Sequence, residues 1–393
     1  MNWHQTLPFS ESIFFTYILV STLLVWMIKI FIPKVIPYKY VLTTVTLGYI
    51  LLLFTKPIQI LVVLGILYLF LLLLRKYYKG SNIIFPMLLL ALPMLLMKTV
   101  NIVPVEGQSI TIRDFRDFIQ IAGLSYIVFK AISLYIDERN NKNKIQFIDF
   151  FNFLAFVPTL LIGPLDRFQR FQKDVDNGYQ NMNKELIYKG WENFILGLLF
   201  KFILAEAIRR LILANLVDDG SLLYHITYAY TYLIYLFFDF AGYSLLAIGA
   251  GNFIGIHVPI NFDKPFLAVN PKEFWKRWHK SLGDWLNDYF FKPIFKDLTS
   301  RGIFKSITRQ NIALMLTFTL MGFWNGFEFH YILSGMLFGL YSVIHNYYVY
   351  RCKKTKKDVF FGKLNPKIIR VLSIFILFNA VTFAIYIFSG NLI

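Results

Sequence analysis

Residues 58–74 read IQILVVLGILYLFLLLL, and the charged pair Arg75-Lys76 follows them directly. The run holds no charged residue and comes close to the length of about 20 apolar residues that an α-helix needs to cross a lipid bilayer. We therefore expect a membrane-spanning helix here. Ten more largely apolar runs are further candidate spans: residues 13–32, 40–54, 83–97, 118–136, 186–204, 224–238, 241–256, 312–324, 331–348 and 368–388.

The composition of the whole chain agrees with many spans. Of its 393 residues, 57% are hydrophobic and 16% are charged, and the mean hydropathy is +0.55. A soluble domain carries about 25% charged residues, so this chain has too few polar side chains to cover a surface that faces water on all sides. The sequence predicts an all-α polytopic integral membrane helical bundle, in which residues 1–393 form a single multi-pass domain.

The positive charge of the chain lies mainly between the apolar runs. The formal net charge is +17, and the segment 350–370 is the most basic part of the chain. Basic residues concentrate in the cytoplasmic loops of membrane proteins and contact anionic lipid headgroups. Membrane lipids therefore explain the charge better than nucleic acid does. With this segment in the cytoplasm, we expect a cell-membrane protein whose N- and C-termini are both extracellular.

One polar segment carries a regular aromatic pattern. Trp275, Trp278, Leu282 and Trp285 follow one another at spacings of three, four and three residues, which places them on one face of a helix. Lysines lie largely on its other faces. The pattern predicts an amphipathic helix in the membrane interface, with His279 next to the aromatic face.

Two apolar segments are expected to face protein rather than lipid. Residues 150–162 cover about half a span before they meet Gly163-Pro164. They predict a buried half-helix, because irregular backbone survives at membrane depth only inside protein or beside water. Asp239 lies in an apolar run, where an unpaired carboxylate is costly, so it should face the bundle interior with a partner. Its candidate partners are Arg167, Asp166 and Lys201.

Four short motifs resemble the membrane-bound O-acyltransferase family. In chain order they are GPLDRF at residues 163–168, FFDFAGYS at 237–244, NFDKPF at 261–266 with EFWKRWHKSL at 273–282, and MGFWNG at 321–326. Together they define a signature core of about residues 150–345. The resemblance implies an acyltransferase built as a helical membrane bundle with a central funnel or tunnel and interfacial amphipathic helices.

The first two motifs and the chain length are most similar to the branch of this family that attaches D-alanine to teichoic acids. That resemblance implies a D-alanyl carrier protein in the cytoplasm, which holds D-alanine as a thioester on its phosphopantetheine arm. We expect the carrier to dock near Lys292, Pro293 and Phe295. The resemblance also implies lipoteichoic acid as acceptor, an extracellular esterase-like partner and a single-span accessory peptide. It implies no cofactor bound to the chain and no metal.

The same resemblance points to three candidate catalytic residues. The family carries a histidine where this chain has Asn325, and asparagine cannot take up a proton at ordinary pH, although it can stabilise an oxyanion. A variant with another base, a protein that lacks this step and a disabled substitution all remain open. His330 and His279 are the candidate bases, because an imidazole exchanges a proton near pH 7. The candidate substrate or tunnel residues are Asp239, Asn261, Asp263, Trp278, Ser281 and Trp324.

Two other functions stay open alongside D-alanyl transfer. One is O-acetylation of another surface polysaccharide by the same family chemistry. The other is a catalytically impaired scaffold that kept the fold without the histidine. A transporter is disfavoured, because the sequence shows no paired broken helices in two matching halves.

Overall fold

A computed structural model describes residues 12–80, 83–102, 118–141, 144–161, 163–356 and 365–392. Within these ranges every regular element is a helix. Helices that are long and apolar enough to cross a membrane are Ile13–Phe31, Pro57–Tyr77, Leu222–Phe253 and Pro366–Phe388. The prediction of an all-α polytopic membrane protein is confirmed. The predicted extracellular residues 1–11 and residues 357–364 of the basic segment lie outside the described ranges, so the orientation stays a prediction.

The chain divides into two compact units. The first comprises Met1–Gly197 and Tyr243–Pro259, and the second comprises Leu198–Gly242 and Ile260–Ile393. The helices that begin in the first unit are α1 Ser12–Phe31, α2 Tyr38–Leu53, α3 Pro57–Tyr77, α4 Ile84–Ile102, α5 Leu124–Asn141, α6 Phe147–Leu154, α7 Phe168–Asn177 and α8 Lys184–Leu198, with short 3-10 turns at Val157–Thr159 and Gly178–Asn181. The prediction of one membrane domain stays a prediction.

The core of the first unit forms where α2 packs against α6 and where α4 packs against α5. The side chain of Tyr49 is fully buried in α2, and Phe150 and Phe153 are buried in α6. Helix α6 is eight residues long and is followed by the turn Val157–Thr159. The prediction of a short buried helix before Gly163-Pro164 is therefore confirmed.

The second unit begins with a π-helical segment, Leu199–Ala205, that continues α8. Its further helices are α9 Glu206–Leu211, α10 Leu222–Phe253, α11 Pro271–Trp275, α12 Lys280–Leu286, α13 Lys292–Ser300, α14 Ser306–Asn325, α15 Phe329–Thr355 and α16 Pro366–Phe388, with short 3-10 turns at Leu213–Asn215 and Pro265–Leu267 and a π-helical turn at Asn287–Phe291.

Helices α14, α15 and α16 of the second unit pack side by side. Three residues separate α14 from α15, and the two backbones approach closely at Gly322 and Gly335. The Ser334 hydroxyl near the start of α15 donates to the Ala384 carbonyl oxygen near the end of α16 at 2.8 Å. The end of α14, the start of α15 and the end of α16 therefore share one end of this unit. The basic C-terminal turn of α15 lies at the other end.

Three predicted helix boundaries are wrong. The separate runs 224–238 and 241–256 form the single 32-residue helix α10, because Asp239 has an ion-pair partner and need not interrupt the helix. The run 118–136 is interrupted: residues 118–119 are helical, Gly123 turns the chain with a φ of +80°, and α5 begins at Leu124. The predicted amphipathic helix is broken into α11 and α12 by a left-handed backbone conformation at His279.

Candidate active site

His279 is presented by the turn between α11 and α12. Asn270 caps α11 by accepting a hydrogen bond from the Glu273 N–H at 2.9 Å, and the helix ends at Trp275. At His279 the backbone has a φ of +44°, a left-handed conformation that costs a residue with a side chain roughly 1–3 kcal/mol. Such strain persists only where the surrounding structure imposes it, and it is concentrated at functional sites.

Residues 261–263 brace this turn. Two backbone hydrogen bonds of 2.9 Å join them to residues 277–280, and the side-chain oxygen of Asn261 accepts a hydrogen bond from the Ser281 hydroxyl. Asn261 and Ser281 are buried, whereas Asp263 is exposed and contributes through its backbone N–H. The structure thus brings these three candidate residues together as a support for the turn.

The imidazole of His279 lies in an aromatic enclosure. The side chain is 6% exposed, its ring meets the Phe240 ring edge to face at 4.6 Å between centroids, and the Trp324 ring lies 6.0 Å away. Among the described residues its Nε2 atom has no hydrogen-bond partner. Burial lowers the pKa of His279 from 6.5 to about 3, so the ring is neutral at pH 7 and one of its nitrogens carries a free lone pair.

Trp278 anchors the aromatic side of the turn. Its ring stacks on Phe274 at 5.6 Å and meets Phe262 edge to face at 5.1 Å and Phe266 at 6.0 Å. Trp278 is buried, and the helix that was expected to carry Trp275, Trp278, Leu282 and Trp285 on one face is broken at His279. This packing holds the backbone at position 279 in place and keeps the surroundings of the imidazole apolar.

Asn325 is the last residue of α14. Its side-chain amide donates to the Met321 carbonyl oxygen one turn earlier at 2.9 Å. The preceding residue, Trp324, is the one whose ring lies beside His279. The end of α14 thus contacts His279 through Trp324, while the side chain of Asn325 is exposed.

His330 lies elsewhere, on the first turn of α15. Its ring centroid is 4.0 Å from that of Tyr331, and its ring would lie 3.3–3.5 Å from a Cβ placed on Gly390. His330 therefore faces the C-terminal end of α16. Within the described residues no ring contact joins it to His279.

Asp239 has a charged partner, as its apolar surroundings predict. Of the three candidates, Lys201 forms the ion pair with it, whereas Asp166 binds Arg170. Lys201 belongs to the π-helical segment Leu199–Ala205, a kind of local irregularity that is frequent at functional sites. The pair lies next to Phe240, the residue that touches His279.

The predicted docking residues lie at the start of α13. Lys292 is exposed and pairs with Asp288 one turn earlier at 2.8 Å. Pro293 and Phe295 are half-buried, and the Phe295 ring is parallel to that of Phe291 at 6.1 Å. This small surface of one lysine and stacked aromatic rings stays a predicted docking site.

Two residues of interest were not among the predicted site residues. Phe240 forms the closest ring contact of His279, and nothing in its local pattern distinguishes it from the phenylalanines around it. Lys130 is 1% exposed and donates to the Thr159 hydroxyl at 2.8 Å. A lysine inside the apolar run 118–136 was a visible signal for a buried polar contact, because such a charge is costly at membrane depth.

Comparisons with known proteins agree on one family. A family model described as MBOAT, membrane-bound O-acyltransferase family, matches residues 70–387. The chain is 36% identical over 320 residues to a teichoic acid D-alanyltransferase of Streptococcus thermophilus. The matched stretch covers 77% of this chain and 74% of that protein. It is 35% identical over 281 residues to a teichoic acid D-alanyltransferase of Bacillus subtilis, 70% of each chain. It is also 32% identical over 256 residues to a peptidoglycan O-acetyltransferase of Helicobacter pylori, 63% of this chain and 44% of that protein.

Proposed function

The chain belongs to the membrane-bound O-acyltransferase family, and we propose that it moves D-alanine from the phosphopantetheine thioester of a cytoplasmic carrier protein across the membrane for esterification of lipoteichoic acid. The similarity to two teichoic acid D-alanyltransferases over most of the chain supports this choice of substrates. The observation that carries the chemistry is His279, a neutral imidazole in an aromatic enclosure on a strained turn.

Transfer from a thioester to an alcohol needs a base that takes up the hydroxyl proton. His279 has the lone pair for this role, and Phe240 and Trp324 keep its surroundings poor in water. Burial lowers the pKa of the resting imidazole to about 3, and the negative oxyanion that forms beside it raises this pKa as the proton transfers. In the proposed step the acceptor oxygen bonds to the thioester carbonyl carbon while its proton passes to His279. The carbon–sulfur bond then breaks, and the proton moves on to the departing sulfur. The amide of Asn325 supplies a hydrogen bond to the oxyanion that forms between these two events.

The proposed direction of transfer follows from charge. Helix α15 ends with Arg351, Lys353 and Lys354, and the positive-inside rule assigns this end to the cytoplasm. In the proposal, the carrier docks from that side near Lys292, Pro293 and Phe295, and its arm enters a funnel or tunnel. The acceptor arrives from the opposite side, where an extracellular esterase-like partner and a single-span accessory peptide act with the chain.

The test is turnover by the full chain in lipid vesicles. D-alanyl-loaded carrier is added, and both the loss of its thioester and the hydroxylamine-labile alanine on the acceptor are measured. We expect His279→Gln to lower the rate about 100- to 10,000-fold, the usual contribution of a general base. His330→Gln is the matched control and should retain the parent rate.

Each other outcome contradicts a definite part of the proposal. Loss of activity in His330→Gln, with His279→Gln active, would move the base to His330. Full activity after both substitutions would show that neither imidazole is the base. No thioester loss with the parent chain would refute D-alanyl transfer. O-acetylation of a surface polysaccharide is the second candidate, because of the similarity to the Helicobacter pylori protein, and it predicts acetate instead of alanine on the acceptor.

A further inference from the structure

One face of α10 carries a stripe of tyrosines. Tyr228, Tyr232, Tyr235 and Asp239 follow one another at spacings of four, three and four residues, which is the repeat of a single helix face. The ring centroids of Tyr228 and Tyr232 are 5.7 Å apart, and those of Tyr232 and Tyr235 are 6.1 Å apart. This tyrosine stripe is a continuous row of phenol rings that leads to a carboxylate.

The tyrosine stripe faces other helices but keeps accessible surface. The Tyr386 ring of α16 lies 5.9 Å from that of Tyr228, and Tyr331 of α15 is near Tyr232. Protein atoms enclose Tyr232 on most sides, although its side chain is not fully buried. Among the described residues, the hydroxyls of Tyr232 and Tyr235 make no hydrogen bond. Enclosed hydroxyl groups without a protein partner are suited to bind polar groups of a ligand.

The two ends of the tyrosine stripe have different neighbours. At the start of α10, the Tyr224 hydroxyl accepts a hydrogen bond from the Asn391 side chain at 2.8 Å, so this end lies beside the C-terminal end of α16 and away from the basic end of α15. At the other end Asp239 pairs with Lys201, and Phe240 touches His279. With a rise of 1.5 Å per residue, the distance along the helix from Tyr224 to Asp239 is about 22 Å.

We infer that the tyrosine stripe is the track along which the acceptor, a polyol-phosphate chain, reaches His279. The inference rests on the proposed function and assigns its acceptor a binding surface. Phenol hydroxyls donate to phosphate oxygens and both donate to and accept from polyol hydroxyls. Near the inner end of the tyrosine stripe Lys201 pairs with Asp239 and Arg209 pairs with Glu206, so these four groups carry no net charge and the phenol hydroxyls supply the contacts to phosphate. An alkyl chain on the same surface would leave the hydroxyls unpaired, which is unfavourable.

The test measures binding separately from turnover. The parent chain in nanodiscs is titrated with a fluorescent glycerol-phosphate oligomer. The triple variant Tyr228→Phe, Tyr232→Phe, Tyr235→Phe keeps every ring and removes three hydroxyls. The Tyr228 hydroxyl is hydrogen-bonded to Ser389, so the hydroxyls of Tyr232 and Tyr235 are the two available to the ligand. At roughly threefold for each lost hydrogen bond, the dissociation constant should rise about 10-fold. Tyr230→Phe is the matched control: it removes a hydroxyl from another face of α10, where Tyr230 donates to Asn379, and should bind as the parent does.

Turnover with D-alanyl-loaded carrier then separates the two claims. We expect the triple variant to raise the KM for the acceptor by a similar factor and to leave kcat at saturating acceptor within about threefold. Equal oligomer binding by the parent and the triple variant, or no binding by the parent, overturns the track. If the binding results are as expected but carrier thioester is not consumed, D-alanyl transfer fails while the polyol-phosphate site stands.

Discussion

At Gly242 helix α10 closely approaches the π-helical segment Leu199–Ala205. A Cβ added there would lie 2.7 Å from the Lys201 backbone nitrogen, 2.8 Å from its Cβ and 3.0 Å from its Cα. These atoms belong to the backbone or its first side-chain carbon, so they cannot rotate away. Gly242→Ala must therefore push the two segments apart. Overpacking of this kind lowers the free energy of unfolding by roughly 1–3 kcal/mol, and the shift also moves Lys201 away from Asp239.

The assay compares thermal unfolding of the parent, Gly242→Ala and Gly65→Ala in one detergent. Gly65→Ala is the matched control, because a Cβ at this position of α3 meets no atom within 4 Å. Alanine is more stable than glycine inside a helix by about 0.5–1 kcal/mol, so the control should unfold at or above the parent midpoint. Gly242→Ala should unfold several degrees earlier and transfer acyl groups more slowly. An unchanged midpoint and rate for Gly242→Ala would refute the close approach and its role in holding the Lys201–Asp239 pair.

Two further predictions concern the site itself. In the folded state the pKa of His279 is about 3, whereas its ordinary value is 6.5. Between these pH values the unfolded chain binds more protons than the folded chain does. The free energy of unfolding should therefore fall by about 2 kcal/mol from pH 7 to pH 5 because of this residue. His279→Gln should remove that part of the fall in denaturant unfolding, and an identical pH dependence in variant and parent would contradict the buried neutral imidazole. Asn325→His should change carrier thioester consumption less than tenfold if His279 is the base, whereas a gain of 100-fold or more would show that position 325 carries the base and that asparagine disables it.

That the protein is a membrane protein, and which family it belongs to, could be predicted from the amino-acid sequence alone. The run 58–74 is helical because a backbone in lipid must satisfy its hydrogen bonds internally, and α3 covers it at Pro57–Tyr77. The short apolar segment before Gly163-Pro164 was expected to be buried for the same reason, and α6 is buried. The expectation that Asp239 has a partner also followed from its surroundings, since an unpaired carboxylate in an apolar bundle is costly.

The local backbone conformation around the candidate site could not be predicted from the sequence. Helical spacing favoured an amphipathic helix through Trp275 and Trp285, because periodicity reports which residues share a face and not whether the backbone stays helical between them. The break at His279 depends on hydrogen bonds with residues 261–263, which lie at least 16 positions away in the chain. The helix propensity of a short stretch of sequence carries no information about hydrogen-bond partners that are distant in the chain.

Composition and apolar periodicity by themselves determined that this chain is an all-α membrane protein, because the cost of exposing polar groups to lipid acts on every residue regardless of its neighbours in space. Tertiary structure alone decided that the Trp324 ring stands beside His279, that Lys201 pairs with Asp239, and that the tyrosine face of α10 keeps accessible surface. These arrangements depend on where distant segments meet, and close packing selects one meeting point among many that the same pattern of apolar residues would allow.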